Sequence, residues 1–173
     1  MKYPTIDLKK EIFKEHSKLQ TLKIVKYIGN STQRFHDLIK VLVKGPYHVS
    51  QRAAWPLSVC IEHHPELILP HLSTVLKLLN RKDMHEAVKR NVVRLLQYVD
   101  IPKRYYGKVA GTCFELLDPK EPIAVRASSM TVLANIAVHE PDLKKELRIV
   151  IEDQLPYASA GFRARARKIL KSI

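Results

Sequence analysis

The sequence predicts an all-α fold made of about five helix pairs that repeat at a period near 37 residues. Two observations carry this prediction. Apolar residues recur at the three- and four-residue spacing of one helix face, and the same apolar pattern returns when it is shifted by 37 positions. Because one helix pair cannot bury its own apolar stripe, neighbouring pairs should stack around a continuous core.

A proline precedes the first helix of each later pair. Pro65, Pro102 and Pro141 stand 37 and 39 residues apart. Proline suits the first position of a helix, because the N–H that it lacks has no partner there. The apolar stripe after Pro65 consists of Ile68, Leu72, Val75, Leu76 and Leu79. The equivalent positions 37 residues later are Tyr105, Val109, Thr112, Cys113 and Leu116. Those 37 residues earlier are Ser31, Phe35, Leu38, Ile39 and Leu42.

The second helices repeat in a single register over three units. Their stripes are Val88, Val92, Leu95, Leu96 and Val99, then Val125, Ser129, Val132, Leu133 and Ile136, and finally Phe162, Ala166, Ile169, Leu170 and Ile173. A basic residue follows the first member of each stripe, and these are Lys89, Arg126 and Arg163. The spacing is 37 residues at each step of this series, which predicts three equivalent helices.

The pattern divides residues 1–173, taken as a single domain, into approximate units. These units are 5–29, 31–64, 65–100, 102–139 and 141–173. The second of them fits if residues 44–48 carry a short insertion. Gly29 predicts a helix end, and Ser31 or Thr32 should cap the next helix. Pro56 falls inside a second helix, which it should kink or whose first turn it should end.

The segment Leu116-Leu117-Asp118-Pro119-Lys120-Glu121-Pro122-Ile123-Ala124-Val125-Arg126-Ala127 resembles a HEAT repeat, with the Asp-Pro turn and the Val-Arg opening of the second helix. The resemblance covers nearly the whole chain. It implies a right-handed α-α superhelix, a HEAT-like solenoid whose second helices line the concave face. The distance from Asp118 to Arg126 is longer here than in the family, which argues against carrying over a direct pairing of these two residues.

The chain is strongly basic, with 30 Lys and Arg against 17 Asp and Glu, a net charge of +13. The excess is spread along the chain, so it is not a detachable tail. A surface of this charge attracts polyanions, whether nucleic acid, anionic lipid or an acidic protein. The alternative is a surface whose charge only confers solubility.

Counting at 100° per residue places a set of side chains opposite the buried stripes of the second helices. The candidate binding residues on this inferred concave face are Lys23, Lys26, Trp55, Arg90, Arg94, Lys168 and Lys171. An aromatic side chain beside arginines is typical of a binding hot spot, and it could also stack a base and hold a phosphate. An alternative register buries Trp55 in the core.

Two sets of basic residues have structural interpretations. We interpret Lys89, Arg126 and Arg163 as a ladder that ties neighbouring repeats together. Residues 163–171 hold five cations and no acid, and we interpret them as the polar outer face of a terminal repeat, with cations that favour the helix dipole. A phosphate-binding patch and a membrane-surface helix are the alternatives for this segment.

The sequence offers no constellation that points to catalysis, a metal or a cofactor. Cys60 and His64 share a helix face, but no further ligand follows at metal spacing. Both cysteines, Cys60 and Cys113, lie on apolar faces and should be reduced, buried thiols. The motifs of phosphate loops and nucleophile elbows are also missing. We therefore expect a protein that is not an enzyme.

Two enzyme families share partial features with the chain. The run Ser128-Ser129-Met130 resembles part of the flexible-loop signature of the fumarase and adenylosuccinate lyase superfamily, but it falls in a buried helical stripe, so a lyase assignment on this basis is spurious. The chain is also distantly similar to DNA glycosylases built from HEAT-like repeats. Those enzymes carry several aromatics and a carboxylate in their groove, and only Glu62 falls near Trp55 here, so no catalytic residue carries over.

The chain has no apolar stretch near the ~20 residues that a spanning helix needs, and its N-terminus lacks the apolar core of a secretion signal. We expect a cytoplasmic protein without integral membrane association. The function that we predict is a non-enzymatic interaction module that binds an acidic partner protein through a basic concave face. The alternative is a nucleic-acid-binding protein that uses the same face, and a third hypothesis is an enzyme of the glycosylase type.

Overall fold

The computed structural model describes residues 6–79 and 85–173, and in these ranges the chain forms ten α-helices and no β-strand. The helices are α1 Leu8–Lys14, α2 Lys18–Ile28, α3 Thr32–Lys44, α4 Tyr47–His63, α5 Leu72–Leu79, α6 Glu86–Leu96, α7 Tyr106–Glu115, α8 Ile123–Ala137, α9 Pro141–Gln154 and α10 Ala160–Ser172. Short 3-10 segments cover Pro65–His71, Lys103–Tyr105 and Leu155–Tyr157. The predicted all-α class is confirmed.

The helices group into two compact units. The first unit ends at Val99 and holds α1–α6, and the second unit, Asp100–Ile173, holds α7–α10. The five repeat boundaries, the single domain and the right-handed superhelix stay predictions.

The first unit packs its helices in sequential pairs and in a row. α1 packs on α2 and α3 on α4, while α4 also packs on both α2 and α6. The row α2, α4 and α6 consists of the predicted second helices. Every apolar member of the stripe from Phe35 to Leu42 is buried, as is the whole stripe from Val88 to Val99, because each stripe is the face that meets the neighbouring helices.

Polar caps set the helix starts in this unit. The Asp7 carboxylate accepts from the amides of Lys9 and Lys10 at the start of α1. Ser31 Oγ accepts from the Arg34 amide, so Ser31 caps α3. Gly29 ends α2 with φ of 50°, a left-handed conformation that favours glycine.

The prolines differ in their effect on the following helices. Pro141 is the first residue of α9, as predicted. Pro65 instead begins a 3-10 segment, and α5 starts only at Leu72. A second proline, Pro70, lies within that segment, and its missing N–H prevents an α-helical bond there. Pro102 precedes another short 3-10 segment, after which α7 begins at Tyr106.

Helix α4 continues through Pro56, which is buried well inside the helix and beyond its first turn. Pro56 therefore lies inside a helix, as predicted. Of the two predicted effects, an end of the first turn is wrong, and a kink stays a prediction. The helix begins at Tyr47, directly after the Gly45-Pro46 turn, and so contains the last two of residues 44–48, which the sequence pattern assigned to an insertion. Pro56 has no N–H, so the Arg52 carbonyl lacks its usual donor within the helix.

The second unit is arranged around α8. This helix packs on α7, α9 and α10. Its stripe Val125, Ser129, Val132, Leu133 and Ile136 is buried completely, and from α10 Phe162, Ala166 and Ile169 are buried. The contact between α8 and α10 joins two predicted second helices, as the contact between α4 and α6 does in the first unit.

Candidate interaction surface

Two side-chain contacts fix the register between α4 and α6. The Ser58 hydroxyl lies 3.3 Å from Asn91 Oδ1 and donates to it, in a buried position. One turn further along both helices, Arg94 Nη2 donates to Glu62 Oε2 at 3.2 Å. The two helices therefore run parallel, with contacting residues 33 and 32 positions apart in the chain. Side chains that follow this line on the solvent side form one continuous surface.

The ion pair of Glu62 and Arg94 includes a third residue. The Tyr98 hydroxyl donates to Glu62 Oε1 at 3.2 Å, so both oxygens of this carboxylate accept hydrogen bonds. All three side chains remain accessible, so water screens the ion pair and its contribution to stability is at most about 1 kcal/mol. The pair fixes the orientation of the Arg94 guanidinium at the surface.

Arg90 lies one turn before Arg94 on the same side of α6. Its side chain is exposed and has no ion pair with any residue in the described ranges. On α2, Lys26 is exposed as well. Lys23 is also exposed, and its charge helps to lower the pKa of Glu11 on α1, after the hydrogen bonds from Lys14 and Gln20.

Trp55 is half-buried, so it is neither a core residue nor a fully exposed one. Its ring contacts His16 edge to face, with ring centroids 5.5 Å apart. His16 lies in the turn between α1 and α2 and also lines a pocket of about 400 Å³ with Phe13, His48, Gln51 and Arg52. Arg52 Nη1 donates to the Phe13 carbonyl at 3.0 Å, which attaches α1 to α4.

The C-terminal helix α10 has a continuous basic arc. Arg163, Arg167, Lys168 and Lys171 are all exposed, and none of them forms an ion pair with a residue that the structure describes. At 100° per residue these four side chains fall within an arc of about 140°. Arg165 lies outside the arc and donates to Thr131 Oγ1 on α8 at 2.8 Å.

A family profile described as a HEAT repeat domain matches residues 8–173. The chain belongs to the HEAT repeat family. Comparison with curated proteins and with solved structures gives no match. HEAT repeats form α-solenoids that commonly mediate protein interactions and are generally not enzymes.

The three HEAT ladder positions have different environments. Arg126 is buried, with 7 % of its surface exposed, and Nη2 donates to Gln154 Oε1 on α9 at 2.6 Å. Its guanidinium carbon also lies 4.2 Å from the centre of the Phe162 ring on α10. Arg126 thus contacts both helices that follow α8 in the chain. Lys89 is half-buried and Arg163 is exposed, so the ladder as a series of three stays a prediction.

The groups considered for chemistry lie in structural positions within this HEAT fold. Burial raises the pKa of both the Cys60 and the Cys113 thiol to about 12. Ser129 is fully buried in α8 beside Ser128 and Met130, which places the lyase-like run inside a regular helix. Within residues 6–79 and 85–173, no group of three or more His, Cys, Asp or Glu side chains is placed to hold a metal ion.

None of the described helices combines the length and the apolar character that crossing a membrane requires.

Sequence reasoning missed two members of the first-unit surface. Tyr98 lies four residues after Arg94, a spacing that places both on one helix face, so this signal was available. The contact of His16 with Trp55 joins residues 39 positions apart, and no local pattern indicates it. The structure records no contact between Trp55 and Arg90, which the sequence grouped together.

Proposed function

We propose that this HEAT repeat protein is a non-enzymatic adaptor that binds an acidic segment of a partner protein. The binding surface, which we call the basic face, consists of Lys23, Lys26, Trp55, Arg90 and Arg94 on α2, α4 and α6 of the first unit. The observation that carries the proposal is the exposed Arg90 beside the oriented Arg94 guanidinium, on a helix that packs against the helix of Trp55.

The chemistry of the basic face fits a carboxylate-rich partner. Arginine binds carboxylates with two parallel hydrogen bonds, and Arg90 is available for such a contact. Arg94 is already held by Glu62, so a partner carboxylate would share or replace an existing acceptor. Trp55 and Tyr98 add aromatic surface, and tryptophan, tyrosine and arginine are the residue types that dominate binding energy at interfaces.

A capture experiment with matched charge variants tests the proposal. Arg90→Glu and Lys77→Glu introduce the same carboxylate at exposed positions of the same unit, on α6 and α5. We expect wild type and Lys77→Glu to retain the same acidic protein from a native extract, and Arg90→Glu to lose it. Equal retention by all three proteins would refute the assignment of the basic face.

Nucleic-acid binding is the second candidate function, and the basic arc of α10 favours it. Arg163, Arg167 and Lys171 follow one another at four-residue steps, about 6 Å of rise each, without acidic neighbours on the helix. Such a row suits the closely spaced phosphates of a strand. If it binds B-DNA, the logarithm of the association constant should fall with log salt at about −0.9 per phosphate contact.

A fluorescence-anisotropy titration with labelled single- and double-stranded DNA and RNA tests this second candidate. Binding at physiological salt that Arg167→Glu weakens and Arg90→Glu leaves unchanged would support it. No binding of the wild-type protein at low salt, or equal affinity of wild type and Arg167→Glu for the nucleic acid, would eliminate this candidate.

A further inference from the structure

The second unit contains a pocket of about 660 Å³ that is separate from the basic arc of α10. Its volume is in the range of pockets that bind small molecules. The pocket is lined mainly by apolar groups, with a few polar ones between them. The lining consists of Pro119, Glu121, Pro122, Ile123, Arg126, Asp153, Gln154, Tyr157, Ala158 and Ser159.

Arg126 lines this pocket with a charge that only the more distant Asp118 carboxylate offsets in part. The residue is more than nine-tenths buried, its Nε is inaccessible and has no acceptor, and no carboxylate in the described residues forms an ion pair with it. Its described contacts are the Gln154 amide oxygen at 2.6 Å and the face of the Phe162 ring. Buried charges in proteins are normally paired, because an unpaired one loses its hydration without compensation.

The start of α8 adds a second positive group to the pocket wall beside Arg126. Pro122 occupies the N-cap position and provides no side-chain cap. The Pro122 carbonyl accepts from the amides of Val125 and Arg126, which leaves the first two amides of the helix without intrahelical acceptors. The positive end of the dipole of this 15-residue helix therefore lies at the pocket wall beside the Arg126 guanidinium.

We propose that this pocket binds a small monocarboxylate with an aromatic or branched apolar body. The carboxylate would lie near the Arg126 guanidinium and the start of α8, and would supply a closer counter-ion than Asp118 does. The apolar body would contact Ile123 and the ring of Tyr157, which are 47 % and 94 % exposed. Glu121 and Asp153 also line the pocket, and their charges disfavour a doubly charged phosphate more than a single carboxylate.

Three probes distinguish the parts of the proposal. Phenylacetate carries the carboxylate and the aromatic body, 2-phenylacetamide lacks the charge, and inorganic phosphate lacks the body. Binding to the full-length protein is followed by the backbone amide shifts of Ile123, Ala158 and Ser159. We expect saturable shifts with phenylacetate and at least tenfold weaker binding of the other two probes.

The variant Gln154→Glu gives the sharpest test, because it supplies an internal carboxylate to Arg126 at nearly constant shape. We expect it to raise Tm and to weaken phenylacetate binding by at least tenfold. Arg126→Gln should also abolish binding, and Arg167→Gln, which removes an exposed arginine from α10, should leave it unchanged. The proposal is overturned if wild type shows no saturable shifts, or if Gln154→Glu binds phenylacetate as tightly as wild type does.

Discussion

At the scale of single residues, the packing of His71 predicts that the stability of the protein depends on pH. Its ring stacks on His36 with centroids 5.1 Å apart and lies 6.0 Å from the Phe35 ring. Burial, and secondly the charge of His36, lower the pKa of His71 below its usual value of 6.5. The folded protein therefore takes up a proton at His71 less readily than the unfolded chain does.

The sign of the effect follows from proton linkage. The unfolded chain binds more protons between the two pKa values, so the free energy of unfolding falls as the pH drops through about 6.5 and levels off below the folded-state pKa. His71→Gln should reduce this loss, as measured by urea unfolding at pH 7.5 and pH 5. The control His63→Gln changes an exposed histidine. An identical pH dependence in wild type and His71→Gln would contradict the prediction.

Substitution of Glu62 gives a second prediction at the scale of single residues. Its outcome distinguishes an adaptor from an enzyme of the glycosylase type. Glu62→Gln removes the carboxylate that holds Arg94, so the basic face gains one net positive charge and an unpaired guanidinium. We expect tighter binding of an acidic peptide, by about threefold to tenfold, or up to about 1.4 kcal/mol. An enzyme of the glycosylase type that used Glu62 would instead lose base release from alkylated DNA. Weaker peptide binding by Glu62→Gln would contradict the adaptor proposal.

At the scale of helices, two glycines should respond oppositely to alanine. A Cβ at Gly45, which ends α3, would overlap the Val41 carbonyl oxygen that accepts from its own amide. Gly111 lies inside α7, and a Cβ there would meet nothing within 4 Å. We expect Gly45→Ala to lower the free energy of unfolding by about 1–3 kcal/mol and Gly111→Ala to raise it by up to about 1 kcal/mol.

Denaturant unfolding of both variants beside wild type checks this pair. Both substitutions add one methyl group. A difference between their effects on the free energy of unfolding therefore reports the local backbone geometry. Equal effects of the two substitutions would mean that the turn after α3 tolerates a side chain, contrary to the geometry at Val41.

The apolar pattern of the sequence predicted which segments form helices, but it predicted less well where those helices start. The apolar stripes from Phe35 to Leu42 and from Val88 to Val99 point at one face, which only a helix can bury. The start of α5 was not visible, because two prolines five residues apart favour a 3-10 segment whose end no stripe marks. Pro56 lies inside a helix as predicted but does not end its first turn, since the packing of α4 on its neighbours can offset one missing helical hydrogen bond.

At the scale of the whole molecule, the sequence predicts a class of surface but not the contacts between helices. The net charge of +13 and the repeat spacing indicate basic second helices. Arg90, Lys168 and Lys171 are exposed, and their role in a binding face stays a prediction. The contacts of Arg126 with Gln154 and Phe162 join three helices. No periodicity within one helix contains that information, because it depends on how α9 and α10 pack against α8.

The central claim is that the basic face of the first unit recognises carboxylates, and a direct titration tests it. A fluorescein-labelled peptide rich in Asp and Glu with one Phe, and its Asn/Gln counterpart, are titrated at physiological salt with wild type, Arg90→Glu and Lys77→Glu. We predict saturable binding of the acidic peptide alone, weakened about tenfold or more by Arg90→Glu, about 1.4 kcal/mol, and unchanged by Lys77→Glu. Equal affinity of Arg90→Glu and wild type for the acidic peptide, or no saturable binding, would contradict the claim.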